Sequence, residues 1–254
     1  MKRTFFWLIP LVVLVAAFVL HFSLNREKPE PQPPQAPTPA PPAIRYPLES
    51  DGPPAGPLPA LAQSDDAMRD ALAELFGKDL GKFLNLQDII HRIVATIDNL
   101  PRDNVSLRLM PVKRVPGLLV TTGTGENLAL SPRNGARYQP YVRLAEVMPV
   151  QGLVAVYRRF YPLFQSQYEN LGYPGKYFND RVVEVIDHLL EAPEIQGPVL
   201  LSQPRVLYEF ADPKLESLSA GQKILLRIGR DSALKMKAKL REIRQALVSK
   251  VTSG

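Results

Sequence analysis

NDRVVEVIDHLL, residues 179–190, decides the fold class. Val182, Val185, Ile186, Leu189 and Leu190 recur at three- and four-residue spacing, which gathers them on one side of a helix turning about 100° per residue. Asp180, Glu184, Asp187 and Glu191 follow the same period and fall on the opposite side. A strand would scatter both sets over its two faces. The segment is therefore an amphipathic helix whose apolar stripe must be covered by other elements, and the same period recurs through most of the chain after residue 60.

The acidic row has two readings. Packed carboxylates raise one another's proton affinity, so Asp180, Glu184 and Asp187, with Glu209 further on, are the candidate catalytic residues for acid and base work. The favoured reading is a solvated helix face, partly balanced by Arg181 and His188 at its edge. A row also differs from a calcium cage, which needs 6 to 8 convergent oxygens.

Immediately upstream, five of the nine tyrosines lie between Tyr157 and Tyr177. Aromatics interleaved with cations and amides form binding surfaces, and Tyr157, Arg158, Arg159, Tyr173, Lys176, Tyr177, Asn179 and Arg181 are the candidate binding residues. Tyr157, Tyr161, Phe164 and Tyr168, however, keep helical spacing and read first as a core stripe. The loop LGYPGKYFND is then the exposed part of the cluster.

Further out, Ser64 or Asp65 caps a helix that stops at Gly77, and a second helix runs from Leu86 to Asn99. Ser131 followed by Pro132 opens a helix toward Val147, and another runs from Val150 to Leu171, kinked or split at Pro162. Residues 105–130 read as an irregular connection or short hairpin, and Val199 to Leu201 and Val206 to Phe210 as short extended pieces. Two helices close the chain, Ser219 to Ile228 and Asp231 to Val248. The expected fold is mainly α: a single helical globular domain over 60–254, with seven or eight helices and minor β.

The formal charge of +6 is concentrated at the end, with nine Lys or Arg after Ser219 against Asp231 and Glu242. On the last helix Met236, Leu240, Ile243, Leu247 and Val251 form a stripe flanked by cations, among them Arg230, Lys235, Lys237, Lys239 and Arg244. A docked terminal helix is favoured over one lying on anionic lipid.

The front of the chain differs in kind. Residues 5–24, FFWLIPLVVLVAAFVLHFSL, carry no formal charge and would rise about 30 Å as a helix, the hydrocarbon thickness of a bilayer. With Lys2 and Arg3 before it and no small-residue cleavage site after it, residues 1–28 read as an uncleaved single-pass anchor. The charge tally, amino terminus included, favours a cytoplasmic N-terminus. Residues 29–59 hold 13 of the 26 prolines and almost no large apolar side chains, so they read as a proline-rich disordered linker.

The strings RIVATIDNLPR (92–102), LSPRNGARYQPYV (130–142), YRRFYPLFQSQYENLGYPGKYFNDRVVEVIDHLL (157–190) and QPRVLYEFADPKLESLSAGQKILLRIG (203–229) together resemble an uncharacterised bacterial envelope family, the domain of unknown function 3014. The resemblance implies a bacterial protein with a membrane anchor, a proline-rich spacer and one globular domain. It carries no assigned activity and no catalytic residue.

Zero cysteines exclude disulfides and thiolate chemistry. The three histidines lack zinc-site spacing and the glycines lack nucleotide-loop patterns, so no metal and no cofactor are expected. The expectation is an inner-membrane protein whose periplasmic domain binds an envelope protein or a cell-wall component, a location that argues against nucleic acid. The alternative is a cell-wall hydrolase built on the carboxylates above.

Overall fold

The computed structural model describes residues 43–48 and 57–249. The anchor reading of 5–24 and the stripe position Val251 lie outside them. No helix among the described residues is long and apolar enough to cross a membrane.

Nine α-helices are present among the described residues: α1 Ser64–Phe76, α2 Ile89–Asn99, α3 Pro132–Ala136, α4 Gln139–Val147, α5 Val150–Asn170, α6 Phe178–Leu190, α7 Pro213–Glu216, α8 Ala220–Arg227 and α9 Arg230–Val248. Four two-residue strands accompany them. β1 (Thr121–Thr122) pairs antiparallel with β2 (Ala129–Leu130), and β3 (Leu201–Ser202) with β4 (Glu209–Phe210). An antiparallel bridge between Ala129 and Leu200 joins the two hairpins into one small β corner.

Helix α6 occupies the centre. Val182, Val183 and Ile186 face a large cluster with Met68, Ile90, Val94, Phe160, Phe164 and Phe178. Val185 and Leu189 face a second cluster with Leu225 and Ile228. Being covered on two sides, α6 needs its polar residues to find partners within the protein. Fully burying a side chain such as Phe160 or Phe178 contributes about 1.5–3 kcal/mol, which makes this the main source of stability. Helix α9 docks against α4, α5, α6 and α8, as its apolar stripe predicts. Helix α8 approaches closely because Gly221 has no side chain: a Cβ there would strike the Leu189 side chain and lie 3.1 Å from the Leu100 carbonyl.

Several boundaries depart from the sequence pattern for identifiable reasons. Asp65 does not cap its own helix; its carboxylate accepts from the amides of Asp88 and Ile89 at 2.7 and 2.9 Å and so starts α2, three residues later than the apolar period suggests. Ser131 caps α3 by accepting from the Arg133 amide, but the expected helix to Val147 is broken in two before Pro140, which has no amide to donate. Pro162 leaves α5 continuous, because it sits on the exposed side where water can serve the carbonyl its ring cannot. Asp212 with Pro213 starts the short α7, a cap and first-turn proline that the apolar pattern does not reveal.

Six consecutive residues inside the proline-rich stretch are among those the structure describes. Residues 43–48, AIRYPL, lie on the domain, with Tyr46 and Leu48 packed against the large cluster. Their apolar side chains are what the preceding proline run lacks.

Candidate functional site

The start of α6 is built to hold that extended segment. The Asp180 carboxylate accepts from two consecutive amides, Arg45 at 2.9 Å and Tyr46 at 2.7 Å. Asn179 Nδ2 donates to the Tyr46 carbonyl at 2.9 Å, and the Tyr177 hydroxyl accepts from the Leu48 amide at 2.9 Å. Three adjacent side chains thus read the backbone of a passing chain. Their positions are set in turn by Gln165 of α5, whose Oε1 accepts from the Phe178 amide and whose Nε2 donates to the Lys176 carbonyl.

Behind this lies an ionic cluster around the buried Asp98 that the charge pattern did not single out. Asp98, 4 % exposed, accepts from Arg102 Nη2 at 2.6 Å and from the Tyr173 hydroxyl at 3.1 Å. Arg181 completes it, with Nε 3.3 Å from the Asp98 carboxylate and Nη2 donating to the Asp98 carbonyl. The charge of Asp98, followed by the Tyr173 hydroxyl, raises Arg102 above the ordinary arginine value. A signal was present: Asp98 lies four residues after Val94 and eight after Ile90, on the apolar face of α2, where an unpaired carboxylate would be untenable.

The predicted binding residues separate into two groups. Tyr157 belongs to the core: it meets Tyr161 edge-on at 5.6 Å, and burial pushes its hydroxyl well above the ordinary tyrosine value. Burial likewise raises Tyr161, and raises Tyr168 to about 12. Arg158 donates to the Ala246 carbonyl of α9. Exposed Arg159 stacks on Phe160 at 5.2 Å. Tyr173 stacks on Tyr168 at 4.6 Å and carries Lys176 over its ring at 5.2 Å. Tyr173, Tyr177, Asn179 and Arg181 come together around the start of α6, whereas Tyr157, Arg158 and Arg159 serve α5.

The acidic row is not the open solvated face expected of it. Asp180 is taken by the two amides, and Asp187 receives both Nε and Nη2 of Arg244 from α9. Glu184 pairs with Arg181 at 2.9 Å and more loosely with Arg45 at 3.7 Å. Glu209 lies on β4 opposite Ser202, in a different element from the row. What remains is a polar cleft of about 290 Å³ lined by Arg45, Tyr46, Pro101, Glu184, Asp187, His188 and Glu191. The ring of His188 is fixed by a 2.9 Å contact between Nε2 and the Ser219 hydroxyl. No cluster of three or more histidine or acidic residues among the described residues is arranged to hold a metal ion. Of the three carboxylates in the cleft, Asp187 is held by Arg244 and Glu184 is shared between Arg181 and Arg45, while Glu191 stands exposed with no ion pair among the described residues, the one acidic group left to meet a cation.

No curated protein and no solved structure matches the chain. Residues 89–244 match the family model described as Protein of unknown function (DUF3014), a span that runs from the first residue of α2 to Arg244 of α9 and contains both the buried Asp98 cluster and the start of α6. The chain therefore belongs to that family.

Proposed function

We propose that the protein is a non-enzymatic binding or scaffold module, anchored in a bacterial inner membrane through residues 5–24, that presents its helical domain in the periplasm to a basic segment of an envelope protein. A single observation carries this reading. The acidic row that could have served hydrolysis is committed at Asp180 and Asp187 to structural partners, and the carboxylates left at the cleft are Glu184 and Glu191 beside Arg45 and His188. A general acid or base must be free to exchange its proton with substrate, and a carboxylate held by two amides or by an arginine fork is not. Exposed carboxylates around a cleft act by charge complementarity. The periplasmic placement rests on the charge tally around residues 5–24 and sets nucleic acid aside as a partner; a cell-wall component with exposed amines has the same chemistry as a basic segment.

The test is photocrosslinking in intact cells from position 101, at the rim of the same cleft, with Glu184→Lys and Glu191→Lys as the contrast. The expected result is capture of a partner whose basic segment is required for capture and which is lost from the charge-reversed variants. Capture indifferent to both reversals, or turnover of purified cell wall that a single carboxylate change abolishes, overturns the reading. A reporter fused after Gly254 that is active only in the cytoplasm overturns the placement.

A further inference from the structure

A cavity larger than this cleft lies away from it, where the β corner meets the junction of α8 and α9. It encloses about 510 Å³, within the range of pockets that take small molecules. Segments far apart in sequence wall it: Leu130 of β2, Ile195 and Val199 of the connection after α6, Leu225 of α8 and Ala233 of α9. The lining contains no aromatic ring. Stacking platforms for a nucleobase or a sugar face are therefore missing, and the walls are aliphatic.

The polar groups of the cavity have a definite sign. Arg227, Arg230 and Lys237 line it against one carboxylate, Glu194. Lys237, 3 % exposed, donates to the Ala192 carbonyl at 2.6 Å and to Glu194 at 3.1 Å, so that acid is already answered. Arg227 lies over the Phe210 ring at 5.3 Å. Arg230 makes no ion pair or side-chain hydrogen bond among the described residues and stands exposed at the first position of α9. The cavity thus joins an aliphatic interior to two guanidiniums without a paired carboxylate among the described residues, of which Arg230 lacks even the ring contact that holds Arg227, and the guanidinium fork matches a carboxylate.

From this arrangement we infer that the cavity is a binding site for a medium-chain aliphatic carboxylate, with the chain among Leu130, Ile195, Val199 and Leu225 and the carboxylate on Arg230. The site is independent of the acidic cleft on α6 and holds whether or not that cleft captures a partner.

Titration calorimetry on the full chain in lipid nanodiscs, with octanoate, octan-1-ol and octylammonium as probes, tests the assignment. Octanoate is expected to saturate at one molecule per chain and to bind at least tenfold more tightly than the alcohol, with no saturable uptake of the ammonium. Arg230→Glu is expected to weaken octanoate at least tenfold. A carboxylate at a helix start suits the helix dipole, so that variant keeps its fold. Ala233→Leu, which extends a side chain into the cavity, is expected to abolish saturation. Uptake of octanoate into the bilayer is the same for all three proteins and subtracts out. Equal binding of octanoate and octan-1-ol, octanoate binding unaltered by Arg230→Glu, or absence of saturation each overturns the assignment.

Discussion

The cleft beside α6 and the cavity beside the β corner differ in how they use charge. Around α6 nearly every polar group closes on another part of the protein: Asp180 on a backbone, Asp187 on Arg244, Asp98 on two arginines and a tyrosine. At the β corner the apolar groups are the ones left without partners, with Leu118, Val206 and Leu207 each more than three-quarters exposed and an aliphatic cavity behind the hairpins. Saturated polar networks fix a structure, whereas unfilled apolar space and exposed apolar side chains leave something for a partner or ligand to do. The first region is a closed polar network with a charged rim; the second is exposed apolar surface over an aliphatic cavity.

If α6 is scaffold, its ionic cluster must be essential to stability. Asp98→Ala removes the shared acceptor of Arg102, Tyr173 and Arg181 and leaves the part-buried Arg181 with Glu184 as its remaining carboxylate, a loss of about 2–3 kcal/mol. For a domain of this size about 3 kcal/mol corresponds to a fall of roughly 10 °C in Tm, measurable by circular dichroism. A loss below about 1 kcal/mol would place the cluster at the surface and dissolve the contrast. Lys237 offers the matching experiment at the cavity. Lys237→Met keeps most of the volume but strands the Ala192 carbonyl, for an expected loss of about 2 kcal/mol in chemical denaturation. A neutral result would mean that the cavity wall carries no obligatory polar contact.

How much of this was legible follows from the range of each interaction. The helices came from local periodicity, and the family resemblance from strings within 92–229, so the mainly helical fold could be read directly. The pairings could not. Asp180 meets residue 46 across 134 positions, and Arg244 meets Asp187 across 57, distances over which no local pattern operates. The acidic row was therefore visible as a row, while its consumption by the segment at 43–48 and by α9 was not. Lys237 reads in the sequence as one of the cations flanking the α9 stripe, because the helix alone gives no hint that the connection at 192–194 covers it. The cavity left no trace at all, since its walls come from three stretches that are separately unremarkable helix, turn and strand.

The docked segment sharpens the scaffold side of the comparison at a smaller scale. Asp180→Ala removes the acceptor of two amides and is expected to cost about 1.5 kcal/mol of local stability, roughly tenfold in the open population of residues 43–48. Trypsin cleavage after Arg45 should accelerate by that factor while cleavage within the helices does not. Uniform acceleration throughout the domain would mean that the segment is an inseparable part of the core.

The smallest effect is expected beside the β corner, at Glu216 of α7. Burial alone would raise the Glu216 carboxyl, but the hydrogen bonds from Lys223 at 2.6 Å and from the Phe210 amide at 2.8 Å outweigh it and hold the group below the ordinary glutamate value. A depressed folded value means that the ionised form favours folding. Its contribution is complete above the unfolded value of about 4.3 and disappears as pH falls through the folded one. Glu216→Gln should therefore cost at most about 1 kcal/mol at pH 7, and the difference from the unaltered protein should close as acid is added below about pH 4. Paired denaturation curves at pH 7 and pH 3 measure it. A gap that widens in acid would reverse the assigned sign, and a gap well above 1 kcal/mol at pH 7 would make the β corner as dependent on its ion pairs as α6.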